Sequence, residues 1–163
     1  MPESLRTRMT RLLYNFFPAY RGTGARVTYI ADDFREVRVK LPLSWRTYNY
    51  VGTIYGGSMY ASVDPMFMIM LIKNLGPEYV VWDKEATVRF RRPGQSTLTA
   101  RFTIEPSDLD EIRQTLEAER SVDRSYHVEL IDREGRVCAE VDKVIYIRKA
   151  RGQEQRAGLR LWE

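Results

Sequence analysis

Residues 49–76 read NYVGTIYGGSMYASVDPMFMIMLIKNLG, and their pattern decides the fold class. Gly56-Gly57 opens a helical stretch, and Gly76-Pro77 stops it. From Met66 to Ile72 the helix is apolar on every side, as a buried helix is and a surface helix is not. Four of the six methionines fall between Met59 and Met70. Met59, Met66, Phe67, Met68 and Met70 read plainly as core, since methionine fills irregular gaps, and functionally as the lining of a ligand pocket. An antiparallel sheet cannot bury such a helix on all sides by itself. A curved sheet wrapped round it and closed by a second subunit can.

The flanking sequence supplies that sheet. Residues 3–17 read as a helix with Leu5, Met9, Leu12, Leu13 and Phe16 in one apolar stripe, and Pro18 follows it. ARVTYIA and REVRVKLPL read as two strands, the second alternating Val37, Val39 and Leu41 with Arg38 and Lys40. Four further strands follow the buried helix: YVVWDKEATVRFRR, STLTARFTIEP, DRSYHVELIDR and GRVCAEVDKVIYIRK. Arg133-Glu134-Gly135 turns the last two into a hairpin. Ser107 is an expected N-cap for a short helix through LDEIRQTLEAE. The fold class is therefore α+β, a curved antiparallel sheet round a long central helix with an extra N-terminal helix.

The chain has 163 residues, one domain's worth, with 44% hydrophobic and 29% charged residues. Its start is too charged for a signal peptide, and no apolar run approaches the ~20 residues that span a bilayer, so a cytoplasmic protein is expected. Cys138 is the only cysteine and His127 the only histidine. A histidine-rich metal site is excluded, no metal is expected, and acid–base chemistry falls mainly to carboxylates. Val128 and Leu130 look like an inward set, which places His127 on the outer face and Cys138 in a strand as a small apolar residue. A net charge of +4 and a pI of about 9.3 favour anionic partners without choosing among them.

The junction at Gly56-Gly57 carries the chemistry. Glycines there let a ligand approach the backbone. The first N–H groups of a helix lack intrahelical acceptors and carry the positive end of its dipole, a cradle for a carbonyl oxygen gaining negative charge. Asp64 is a lone carboxylate in an apolar helix, where burial without a cationic partner would raise its pKa. Pro65 breaks the helix there. Asp64 could equally N-cap a second helical segment, Asn49 could be a turn residue, and Tyr55 could be packing.

Asn49, six residues before Tyr55-Gly56-Gly57, with Asp64 nine residues after Tyr55, resembles the active-site pattern of hotdog-fold acyl-CoA thioesterases of the phenylacetyl-CoA type: Asn, a spacer, His-Gly-Gly, then a helical Asp. VRFRRPG resembles their strand ending in an aromatic residue and a proline turn. The likeness is closer to a hotdog branch catalogued as a domain of unknown function, in which an aromatic residue often precedes Gly-Gly. It covers roughly residues 25–148, leaving residues 1–24 as an N-terminal helix and lead-in and 149–163 as a polar tail, loose or docked on a neighbour.

The resemblance implies thioester hydrolysis by a homodimer or homotetramer, with no cofactor beyond the coenzyme A of the substrate. Asp64 would be the nucleophile or general base, the Gly56 N–H, helped by Gly57, would polarise the carbonyl, and Asn49 would orient carbonyl or water. Tyr55 stands where these enzymes carry histidine; it can donate a hydrogen bond but is a poor acid–base group near neutral pH. Asp83 falls where the family supplies a polar group from the partner subunit, against a plain reading as surface strand. Arg91 and Arg92, with Arg89, would meet coenzyme A phosphates, against a plain reading as strand-edge charges. Two rivals stand beside the hydrolase: a non-catalytic hotdog protein that binds acyl-CoA, and, more remotely, a nucleic-acid-binding module suggested by charge alone.

Overall fold

A computed structural model describes residues 2–151. The expectation of a loose or docked tail lies outside the described residues. Chain order is α1 (Leu5–Phe16), α2 (Pro18–Gly22), β1 (Arg26–Ile30), β2 (Glu36–Leu41), α3 (Gly56–Val63), α4 (Met66–Leu75), β3 (Tyr79–Phe90), β4 (Leu98–Thr103), α5 (Pro106–Ala118), β5 (Val122–Ile131) and β6 (Val137–Lys149). The strands form one six-stranded antiparallel sheet in the order β1-β2-β4-β5-β6-β3, so the long strand β3 is a free edge. This is the expected hotdog arrangement: α3 and α4 lie against the inner face of the sheet.

The helix packs as its composition requires, on one side. Met59, Val63, Met66, Phe67, Met70, Leu71 and Leu75 are buried in the core. Phe67 stacks on Tyr126 of β5 at 4.7 Å between ring centroids and meets Phe102 of β4 edge-on at 5.1 Å. Ala61, Pro65, Met68, Ile69 and Ile72 form the opposite face and stay half-exposed. One copy of the chain thus closes only part of an apolar surface that runs all round the helix. Phe67→Ala removes the aromatic that ties α4 to two strands, and a loss of about 3–5 kcal/mol is expected for such a buried ring. Urea melts of the two proteins measure it.

Local chemistry explains the element ends. Ser4 and Thr7 form a reciprocal cap at the start of α1. Asn15 then pins α1 to β1, its amide bonding both the N–H and the C=O of Val27. The apolar stripe of α1 does not face the core: Leu5, Met9, Leu12, Leu13 and Phe16 are exposed, and Thr7 is the buried residue. The helix through LDEIRQTLEAE begins two residues earlier than Ser107 as N-cap would set it, with Glu105 in the cap position. Pro106 occupies its first turn, where the missing N–H costs nothing, and Ser107 lies inside the helix. The β5–β6 hairpin turns at Gly135, whose φ is +78°, a conformation that suits glycine. His127 lies on the outer face of the sheet beside Asp142, and Cys138 is buried within β6, as their strand positions suggest.

The most consequential irregularity is a β-bulge. Register between β3 and β6 slips between Asp83 and Glu85, leaving Lys84 as the extra residue. An extra residue reverses the inward–outward alternation beyond it. Tyr79, Val81 and Asp83 therefore share the inner face with Ala86 and Val88, although Asp83 has the sequence parity of the outward Glu85 and Thr87. The plain reading of Asp83 as surface strand is corrected on this ground.

Candidate active site

The segment before α3 is held by backbone and side-chain bonds. Thr47, almost wholly buried, bonds the Pro42 carbonyl through its hydroxyl at 2.6 Å. Its own carbonyl accepts the Tyr55 N–H at 2.7 Å, and the Ile54 N–H donates to the Gly94 carbonyl at 2.8 Å. The N–H groups of Arg91 and Arg92 both donate to the Cys138 carbonyl, folding the RRPG turn toward α3. No side chain caps α3; the first intrahelical bond runs from the Met59 N–H to the Tyr55 carbonyl. The N–H groups of Gly56 and Gly57 at the head of the helix are left to a ligand.

These groups open on a pocket of about 400 Å³ lined by Asn49, Thr53, Ile54, Gly56, Met59, Phe90, Arg91, Arg92 and Pro93. Both glycines lie close under aromatic rings. A Cβ on Gly56 would stand 2.9 Å from the Phe90 ring, and one on Gly57 would stand 2.2 Å from the ring of Tyr55, which folds back over it. Asn49 spends most of its amide on its own loop: Oδ1 accepts from the N–H groups of Val51 and Thr53, and Nδ2 donates to the Thr53 hydroxyl. One Nδ2 hydrogen is left for a ligand. Arg91 is paired with Glu140 at 2.8 Å and Arg89 with Asp142, while Arg92 lines the pocket rim.

Asp64 lies elsewhere. It ends α3 and follows that helix's backbone bonding, its N–H donating to the Tyr60 carbonyl, and its side chain caps nothing on α4. Its Oδ1 accepts from the Tyr60 hydroxyl at 2.6 Å and from Lys143 Nζ at 2.6 Å. The expectation of a buried carboxylate without a cation is thus corrected: Asp64 is 40% exposed at its side chain and has a lysine beside it. Lys143 is only 1% exposed, and its Nζ also stands 3.1 Å from Asp83 Oδ1. Asp83 Oδ1 is thus a buried oxygen held against the charge of that ammonium.

Burial pulls Lys143 toward losing its proton, but the hydrogen bond to Asp64 and the charges of Asp83 and Asp64 outweigh it and hold the ammonium above the usual lysine range. Burial pushes the Asp83 carboxyl up, and Lys143 opposes this only in part. Burial and the bond to Asp64 raise Tyr60. The signs for stability follow. The Lys143 contribution is complete below the unfolded lysine value of about 10.4 and is lost as pH rises through the higher folded value. Ionised Asp83 costs nothing below about pH 4, and its cost grows as pH rises through its raised folded value.

The site residues read from sequence therefore form two groups. Asn49, Gly56, Arg91 and Arg92 gather round the pocket, with Tyr55 and Gly57 beside it; Asp64 and Asp83 gather round Lys143. Eight residues of helix separate Gly56 from Asp64, about 12 Å along the axis. Lys143 was not legible as a site residue. Its signal is a lysine in the inward row Val141, Lys143, Ile145, Ile147. Among the described residues no group of His, Cys, Asp and Glu could hold a metal ion, and no helix is long and apolar enough to cross a membrane.

Solved structures share this architecture. One from Pseudomonas aeruginosa, named "Protein of Unknown Function PA5026 … Probable Thioesterase", superposes with a TM-score of 0.80 at 20% identity, covering 92% of this chain and 99% of its own. Thioesterase HI1161 from Haemophilus influenzae gives 0.67 at 15% identity, covering 90% and 93%. A mutant of thioesterase PA1618 from P. aeruginosa gives 0.66 at 13%, covering 87% and 94%. At such identities they establish the fold, the hotdog of thioesterase-like proteins. No curated protein matches the chain. The family pattern described as "Domain of unknown function (DUF4442)" matches residues 6–147, and the chain belongs to that family.

Proposed function

We propose that the protein hydrolyses acyl-CoA thioesters at sites shared between two copies of the chain. The observation that carries this reading is the uncapped head of α3 at Gly56, open on a pocket, with Asp64 displaced from it along the same helix. A donor to the oxyanion must lie about 3 Å from it, and a base within hydrogen-bond reach of the attacking water. One copy's Gly56 and Asp64, some 12 Å apart, cannot serve the same carbonyl. A second copy paired along the free β3 edge, covering the half-open face of α3 and α4, would supply Asp64 to its neighbour's pocket. The named thioesterases of like fold support the class of reaction.

In this reading the thioester carbonyl accepts from the Gly56 N–H, helped by Gly57. Asp64 takes a proton from water, which adds to the carbonyl carbon, or adds to that carbon itself. The tetrahedral intermediate collapses by breaking the C–S bond. Where water has added, the acid is freed directly and the proton held by Asp64 passes to the departing thiolate of coenzyme A; where Asp64 has added, the thiolate leaves an anhydride between the acyl group and Asp64, and a water molecule then cleaves it to free the acid and restore the carboxylate. The spare N–H of Asn49 orients carbonyl or water, and Arg92 and Arg91 at the rim meet phosphate.

A non-catalytic acyl-CoA binder is the second reading. Tyr55 favours it, standing at the histidine position with its ring against Gly57. Nucleic-acid binding draws little support, because Arg11, Arg35, Arg38, Arg101 and Arg124, spread over the molecule, are each tied to a carboxylate. The deciding experiment is a screen of acyl-CoA chain lengths and aromatic acyl groups, read by free-thiol release. Turnover on at least one class is expected. Binding without release of thiol would move the assignment to the second reading.

A further inference from the structure

We infer that Lys143 is a positioning residue that clamps one carboxylate oxygen of Asp64 and leaves the other free to act on water. This rests on the hydrolase reading above and adds to it a residue of β6 that no motif marks. The first observation is where the lysine stands. Its neighbours in the inward row, Val141, Ile145 and Ile147, are buried and apolar, and Lys143 is as buried as they are. An apolar side chain at such a position usually serves stability as well as or better than a buried ion pair. Packing alone therefore does not account for a lysine there.

The second observation is the geometry round Nζ. Asp64 Oδ1 receives both the Tyr60 hydroxyl and the Lys143 ammonium, each at 2.6 Å. Two donors from different elements, α3 and β6, fix the rotation of the carboxylate. Oδ2 receives no hydrogen from the described residues, while the side chain as a whole is 40% exposed. One oxygen is thereby anchored and its twin presented. The third observation is Asp83. The bulge of β3 turns it inward, and its Oδ1 stands 3.1 Å from Nζ with no hydrogen bonded to it. It sets a second carboxylate against the ammonium. The groups facing Nζ are Tyr60 and Asp64 from α3 and Asp83 from β3. Tyr126, the cross-strand neighbour on β5, turns its hydroxyl away to Asp108 of α5.

Lys143→Met tests the clamp, since it keeps length and removes charge. Steady-state hydrolysis of the best acyl-CoA is expected to show kcat lowered by about 100-fold, with KM within about twofold because the pocket residues are untouched. Asp83→Asn/Lys143→Met removes the buried carboxylate as well and is expected to fold with the same loss, which guards against a single variant that fails to fold. Unchanged kcat in both, or a rise in KM alone, would overturn the role. A readout independent of turnover is the proton–nitrogen NMR signal of the wild-type ammonium. A slowly exchanging Lys143 signal that moves in Asp64→Asn supports the clamp, and its absence from the wild type overturns it. Absence of thioester turnover by the wild type sinks the hydrolase reading instead, and the ammonium signal still decides whether Lys143 holds Asp64.

Discussion

Asp64→Asn is expected to cut thioester hydrolysis by about 10²- to 10⁴-fold, the range typical of a positioned acid–base group, with a cooperative melt retained. The replacement keeps the shape of the side chain, and its amide oxygen can still accept from Tyr60 and Lys143, the two donors that hold Oδ1. It loses the charge and the second oxygen. The fold persists because α3 and α4 are anchored by Met59, Val63, Phe67, Met70 and Leu71, although losing a counter-charge beside the buried Lys143 ammonium lowers the melting temperature. Stopped-flow or thiol-release kinetics beside a thermal melt separate the two effects. Wild-type turnover in this variant would remove Asp64 from the chemistry.

Gly56→Pro is expected to lower kcat by about 10²- to 10³-fold, the usual cost of losing one oxyanion donor. The substitution deletes the N–H under test and little else. Gly56 is the first residue of α3, where proline's fixed φ suits the helix and its missing N–H breaks no intrahelical bond. Tyr55 before it is already extended, with φ −61° and ψ 130°, as a residue preceding proline must be. The added carbons press on the Phe90 ring, 2.9 Å from an ideal Cβ, and that ring is 59% exposed and free to shift. A rise in KM with kcat intact would show that the N–H binds the ground state alone.

How far the sequence reached depended on whether a signal was periodic or singular. The run Met66–Ile72 and the Gly-Gly opening announced a helix inside a sheet, because composition all round a helix has one stable solution. The strands and the Gly135 hairpin were equally plain. The stripe of α1 was read correctly as a stripe, but periodicity gives the face and not what covers it; in the fold Leu5, Met9, Leu12, Leu13 and Phe16 point outward. Asp83 was misplaced because a bulge adds one residue and reverses parity, and neither glycine nor proline marks this one. Lys143 escaped notice because a lysine in an alternating strand is usually on the wet side. Its place in the row Val141, Lys143, Ile145, Ile147 is the signal, and the register to β3 and β5 puts that row on the inner face. Asp64 and Gly56 are both legible in the sequence, and their separation along α3, about 12 Å, is what the proposed sharing of a site between two copies rests on.

Subunit complementation tests the shared site most directly. Asp64→Asn and Gly56→Pro proteins, each inactive alone, are unfolded together and refolded as a mixture. Random pairing makes half of the dimers mixed, and each mixed dimer holds one site with both an intact Gly56 and an intact partner Asp64. Activity of about a quarter of wild type is then expected from the symmetry of a two-fold dimer. A mixture that stays as inactive as its parents, with mixed dimers demonstrated by mass, would contradict a site shared between two copies.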